Sequence, residues 1–223
     1  MTKLNEILSL YLQNVKKNHK INVKIKNKNG SKILRLVRPI LELFNKNYWK
    51  GYITTLLSTI WIPDKWSETT DVKTQLEIVT HEVIHMKRSK QLSFFVYAIL
   101  YLFPQILVLL SLFAFLAIPF GTSWLFCLLF LIFLAPIPAP FRYLIELEAY
   151  RTRLIIYKYA WNATPEKIEF AKDDIINNLS KGDYYFAWPF PKAIKKHLNN
   201  ENKLDDIKYK EIVKFLTDNG LYK

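Results

Sequence analysis

The chain has 223 residues, with 32 Lys and Arg against 19 Asp and Glu, for a formal net charge of +13. That length suits one domain with a real core, or a smaller domain carrying an apolar insert. The only cysteine, Cys127, excludes an internal disulfide and a thiolate cluster, so any metal must be held by His, Asp or Glu. The basic balance fits an anionic membrane face, and with no nucleic-acid motif beside it no nucleic-acid partner is expected.

The first stretch, "MTKLNEILSLYLQNVKKNHK", scatters charges among its leucines. It has no apolar core of a signal peptide and reads as an amphipathic helix. "INVKIKNKNGSKILRLV" alternates apolar and polar residues on both sides of Asn29-Gly30, which predicts two antiparallel strands joined by a tight turn. "YITTLLSTIWIP", Tyr52 to Pro63, is rich in β-branched and aromatic residues and predicts a further extended segment.

A helix is expected from about Asp71, capped either by Asp71 or by a Thr74/Glu77 capping box. At about 100° per residue, Val72, Leu76, Val79, Val83 and Met86 form one stripe, and His81 and His85 fall about 160 to 220° away. The two histidines thus share a face that the apolar packing does not need, free to look into a cleft.

From Gln91 to Phe141 there is no charged side chain. Leu92 to Ile118 is long enough to cross a bilayer as a helix, Phe120-Gly121-Thr122 offers a turn, and "SWLFCLLFLIFLAPIPAPF" returns. Pro104 and Gln105 would instead split the first arm and make a re-entrant hairpin. Either way both ends lie on one side, and Lys87, Arg88, Lys90 and Arg142 place that side in the cytoplasm, with membrane lipid as a partner. The alternative is a soluble domain whose apolar hairpin covers a core.

Beyond the hairpin, "RYLIELEAYRTRLIIYKY" has helical periodicity through Leu144, Leu147, Tyr150, Leu154 and Tyr157. Thr164-Pro165-Glu166 starts another helix, running to about Leu179. "KGDYYFAWPFP" is an aromatic loop, and a last helix spans about Ile207 to Thr217 before Asn219-Gly220.

His81-Glu82-x-x-His85 puts two imidazoles one helical turn apart, where both can reach one Zn²⁺, with Glu82 beside the water the metal activates. A third ligand is needed, and Glu146, Glu148 and His197 are the candidates. Glu146 and Glu148 lie about 200° apart on a helix, so at most one faces the metal.

The motif, the apolar hairpin and Glu146-Leu147-Glu148-Ala149 together resemble the integral-membrane gluzincins of the prenyl-protein and heat-shock protease type. A closer resemblance, carried by "YITTLLSTIWIP", "THEVIH", the proline-ended hairpin, "ELEAYR" and "YYFAWPF", is to metallopeptidase-like proteins of tailed bacteriophages, and it covers roughly Phe44 to Phe190. The likeness implies an α+β, zincin-like helical unit over 1–223 with a small antiparallel sheet and an inserted hydrophobic helical hairpin at 92–141. It also implies Zn²⁺ held by His81, His85 and Glu146. The sequence departs from the gluzincin pattern at Tyr150, where that family has an aspartate that orients a metal-bound histidine.

The expected activity is hydrolysis of a peptide or protein substrate, with Glu82 as general base and an edge strand within Tyr52 to Ile62 holding an extended peptide. Transition-state donors would come from Tyr150, Tyr157, Tyr184, Tyr185, Arg142, Arg153 or His197. The alternative is a non-enzymatic basic membrane protein with a structural or vestigial zinc site.

Overall fold

The computed structural model describes residues 2–44, 46–135, 137–181, 187–200 and 207–221. Helix α1 (Thr2–His19) is followed by strand β1 (Lys24–Asn27), a single 3-10 turn (Lys28–Gly30) and helix α2 (Lys32–Phe44). The short helix α3 (Tyr48–Gly51) leads to β2 (Thr54–Leu56) and β3 (Thr59–Ile62), and the single turn α4 (Trp66–Thr69) precedes the long α5 (Val72–Leu92). The apolar region comprises α6 (Phe94–Leu102), a 3-10 arm (Gln105–Leu116), α7 (Ala117–Phe120) and a second 3-10 arm (Thr122–Leu134). Helices α8 (Pro140–Tyr159), α9 (Pro165–Ser180), α10 (Pro191–Leu198) and α11 (Ile207–Asp218) complete a mostly helical α+β chain.

The sheet differs from the expected antiparallel one. Its order is β1-β3-β2, with β1 parallel to β3 and β2 antiparallel to it, so it is mixed. The expected strand after Asn29-Gly30 is helix α2 instead. Asn27 caps the 3-10 turn through Asn29 N, and Ser31 Oγ then accepts from Leu34 N at 3.2 Å to start α2. Apolar residues at Ile33, Leu34, Leu36 and Val37 fit a helix as well as a strand, and the serine cap decides between them. The single extended segment at Tyr52 to Pro63 is in fact a hairpin. It turns at Leu57, whose φ is +55, and leaves β2 as an edge strand with β3 in the centre.

Asp71 caps α5, accepting from Lys73 N at 3.0 Å and Thr74 N at 3.2 Å, while Thr74 Oγ1 donates back to its carboxylate at 2.6 Å. The Thr74/Glu77 box is not formed, because Glu77 is engaged elsewhere: it accepts from Trp161 Nε1 at 2.9 Å and pairs with Arg153 at 3.3 Å. That fastens α5 to the far end of α8. Leu76, Val79, Val83 and Met86 enter a core shared with Ile7, Tyr11 and Val15 of α1, Ile60 of β3, Ile155 and Ile156 of α8, and Phe215 and Leu216 of α11. Val72, at the start of the stripe, is only half-buried.

Helix α8 serves two cores. Ile155 and Ile156 face the first, whereas Tyr143, Leu147, Tyr150 and Leu154 pack on Ala171, Ile175 and Leu179 of α9 and Ile194 and Leu198 of α10. Leu144, counted in the expected stripe, is exposed. The Thr164 cap with Pro165 starts α9 as the sequence predicts. Helix α10, which starts at the last residue of the expected aromatic loop and covers residues given no element from the sequence, completes the second core.

Among the described residues no single helix is long and apolar enough to cross a membrane. Of the two expectations for the first arm, one span from Leu92 to Ile118 or a split at Pro104 and Gln105, the chain shows the split: α6 and the 3-10 arm after it meet at 90°. Arg142 braces this bend, donating through Nε to Tyr101 O at 3.0 Å and through a terminal nitrogen to Gln105 Oε1 at 3.2 Å. Gln105 in turn donates to Ile137 O at 2.7 Å, which ties the bend to the returning chain. Gly121, with φ +98, makes the turn between the arms, a backbone conformation that favours glycine. Many large apolar side chains on this hairpin are exposed, Phe115 at 70% and Ile118 at 85% among them.

Candidate metal centre

Three elements build the site. Helix α5 supplies His81 and His85 on the side opposite its apolar stripe, α8 packs across that side and brings Glu146, and α6 closes over them. The side that looked free in the sequence is therefore buried: His81 and His85 are each 8% exposed and Glu146 is 1% exposed. Both sides of α5 are covered, each by a different kind of chemistry.

The three ligating groups converge. His81 Nε2 and His85 Nε2 are 3.1 Å apart, His81 Nε2 lies 3.2 Å from Glu146 Oε2, and His85 Nε2 lies 3.5 Å from Glu146 Oε1. Ligands bound at about 2.0 to 2.1 Å around a tetrahedral ion are spaced about 3.3 Å apart, and the imidazole pair and the His81–Oε2 contact fall near that spacing, while His85 approaches the other carboxylate oxygen. Glu146 Oε2 is also buried and makes no hydrogen bond among the described residues. A buried carboxylate oxygen left without a donor is costly, and a cation would satisfy it. The donor set of two imidazoles and one carboxylate can hold a metal ion.

Electrostatics follow from this crowding. Burial alone would push the His85 imidazole down, but the Glu146 charge and hydrogen bond outweigh it, with Glu82 and Glu148 adding, and its pKa rises to about 9. Burial would likewise raise Glu146, yet the two imidazoles hold its carboxyl far below the usual carboxylate range. The carboxylate is thus kept ionised by protonated imidazole, and His85 must release its proton for an ion to bind.

The remaining groups named from the sequence are spread more widely. Glu82, half-buried on α5, is close enough for its charge to be felt at His85. Glu148 turns away from the histidines and takes a two-pronged ion pair with Arg88, at 2.8 Å to Arg88 Nε and 2.8 Å to a terminal nitrogen. Tyr150 packs its ring edge-on to His81, centroids 4.8 Å apart. His197 is not brought to the ligands: its Nδ1 is 2.6 Å from the Tyr143 hydroxyl and its ring stacks on Tyr143. Tyr157 lies eleven residues beyond Glu146 on α8, about 16 Å along the axis, beside Arg153. Arg153 itself pairs with Glu77 and Asp174, and Arg142 is committed to the hairpin bend. Tyr184 and Tyr185 lie outside the described residues. Trp188 stacks on Tyr143, centroids 5.0 Å apart, in the second core.

Two residues escaped the sequence reading. Tyr97 places its hydroxyl 2.8 Å from His85 Nδ1, and Tyr101 donates its hydroxyl to Glu146 Oε1. Both come from α6, one helical turn apart on the side that faces α5 and α8, while Phe95, Ile99 and Leu102 on the other side are exposed. The only local signal is that i, i+4 tyrosine pair, the sole hydroxyl-bearing aromatics in the apolar run.

Comparison of the chain with protein-family models, with curated proteins and with solved structures finds no match.

Proposed function

We propose that the chain is a membrane-anchored zinc peptidase. The observation that carries the reading is the convergence of His81, His85 and Glu146, with contacts of 3.1 to 3.5 Å, in a buried site. Zinc fits the donor set: two imidazoles and a carboxylate are the usual protein ligands of hydrolytic zinc, with one position left for water. Bound there, the ion would supply polarisation of the attacking water and of the scissile carbonyl.

The chain's own groups do the rest. Glu82 stands next to His81 on α5, where its carboxylate takes the proton of the attacking water and passes it to the leaving amine. The edge strand β2 offers backbone groups to an extended peptide substrate. Arg88 and Glu148 neutralise each other near the site and fix the register of α5 on α8.

The exposed apolar surface of residues 94–134 supports a membrane anchor. After the 90° bend, the arms reach roughly 26 to 30 Å at about 2.0 Å per 3-10 residue, close to the depth of a hydrocarbon layer. In this reading α6 lies along the interface and the arms dip from it, with the basic flanks and the metal centre on the cytoplasmic side.

Detergent-purified protein is expected to bind close to one equivalent of zinc by elemental analysis, and His81→Ala to lose it. Glu82→Gln should keep the metal and abolish peptide hydrolysis, measured on a casein-type substrate. Less than half an equivalent in the wild type, unchanged in His81→Ala, would sink the reading.

The burial of all three ligands favours one other possibility, a structural ion in a non-enzymatic membrane protein. Azide added to the cobalt-loaded protein separates the two: an altered visible spectrum means an open position, and an unchanged one favours the structural ion.

A further inference from the structure

The ring of His85 is held from outside the ligand set. Its Nδ1 meets the Tyr97 hydroxyl at 2.8 Å, and its Nε2 points to His81 and Glu146. Tyr101 engages Glu146 Oε1 and leaves Oε2 turned toward His81 Nε2 at 3.2 Å.

Resting on the metal-centre reading, we infer that Tyr97 and Tyr101 are positioning residues: Tyr97 accepts a hydrogen bond from His85 Nδ1–H and so holds the Nε2 lone pair toward the ion, and Tyr101 donates to Glu146 Oε1 so that Oε2 is the ligating oxygen. A phenol can fill this role because an outer hydrogen bond need only fix tautomer and ring orientation, for which a neutral acceptor suffices. Stacking helps to hold the two phenols: the Tyr97 and Tyr101 rings lie 5.6 Å apart at 24°, and Tyr101 packs edge-on to His85 at 5.9 Å. Arg142 adds a further brace, with its guanidinium 5.3 Å from the Tyr101 ring centre and its Nε bonded to the Tyr101 carbonyl. The hydroxyls that meet both ligands thus come from the hairpin, and α8, which carries Glu146, adds the Arg142 brace.

The test is metal affinity of the full chain in detergent, by competition between zinc and a chelator, with cobalt spectra read alongside. Tyr97→Phe should weaken zinc binding roughly 10- to 100-fold, keep the stoichiometry and shift the cobalt bands. Tyr101→Phe should weaken it to a similar degree. Tyr143→Phe, which removes a hydroxyl bonded to His197 instead, should stay within twofold of wild type. If Tyr97→Phe and Tyr101→Phe both bind zinc as tightly as wild type while His81→Ala loses it, the positioning role is overturned and the metal centre stands. If the wild type binds no zinc, both readings fall.

Should the variants fail to fold, nitrogen-15 histidine spectra of the zinc-loaded wild type decide. His85 with Nε2 on the metal and a slowly exchanging Nδ1 proton supports the assignment; a metal on Nδ1, or an Nδ1 proton exchanging at the rate of an open imidazole, overturns it.

Discussion

At Glu146 the two oxygens of one carboxylate have different neighbours: Oε1 accepts from Tyr101, and Oε2 faces His81 with no hydrogen bond. Glu148, two residues on, is locked to Arg88. The helical wheel predicts that only one of these glutamates faces the histidines, but it cannot say which, because the choice depends on how α8 is rotated against α5. Arg88 decides it. Replacing Arg88 with Met should therefore loosen this register, and a loss of stability of about 1 to 3 kcal/mol is expected in denaturant titrations, since Glu148 keeps its charge half-buried without its partner.

Lys28 shows a second consequence of burial at the level of a single residue. Its ammonium donates to Tyr48 O at 2.9 Å and lies 4.1 Å from the Tyr48 ring centre, and burial lowers its pKa from 10.5 to about 8. Between those two values the unfolded chain holds a proton that the folded chain has released, so stability rises with pH across this window. Below about pH 8 both states are protonated and the full penalty of burying the charge is present. The difference in melting temperature between wild type and Lys28→Met should accordingly move in favour of the wild type from about pH 8 to 10.5 and stay flat between pH 6 and 7.5.

Among the elements, α5 is the most legible in the sequence. Its stripe from Leu76 to Met86 and its histidine pair are local patterns that a helix of 21 residues repeats over several turns, whereas of the two caps the sequence offers only Asp71 forms. Asp71→Ala should remove the cap at a cost of about 1 kcal/mol, seen as a drop of roughly 2 to 4 °C in melting temperature. Helix α2 is the opposite case. Seven residues of mixed period cannot distinguish a strand from a helix, and only Ser31 marked the difference. The parallel pairing of β1 with β3 was equally hidden, since it joins Lys24 to Thr59 across 35 positions and leaves no local trace. The contribution of Tyr97 and Tyr101 was illegible for the same reason: their approach to His85 and Glu146 depends on the break at Ser93 and on the 90° bend, both tertiary features.

For the whole molecule, the division of labour lies between a polar helical body and an apolar hairpin that share α6. The arms and the metal centre are separable on this geometry. Replacing residues 107–134 with a short glycine-serine linker should release the protein into detergent-free extracts while zinc affinity stays within about tenfold, because Tyr97 and Tyr101 are retained. Replacing 94–134 should release it as well but weaken zinc binding by a further factor of roughly 10 to 100. Sedimentation with liposomes and chelator competition on the same preparations check both expectations.

The two-sided character of α6 bears on the kinetics of metal exchange. With His81, His85 and Glu146 buried beneath α6, lifting α6 would open the site, and lifting it would drag Phe95, Ile99 and Leu102 through the medium that covers them. On the proposed membrane and metal reading, the residence time of an ion would depend on the surrounding lipid as much as on the ligands. Stiffer, more ordered bilayers should lengthen the half-life of bound zinc against excess chelator, and fluid micelles should shorten it, with the equilibrium stoichiometry the same in both.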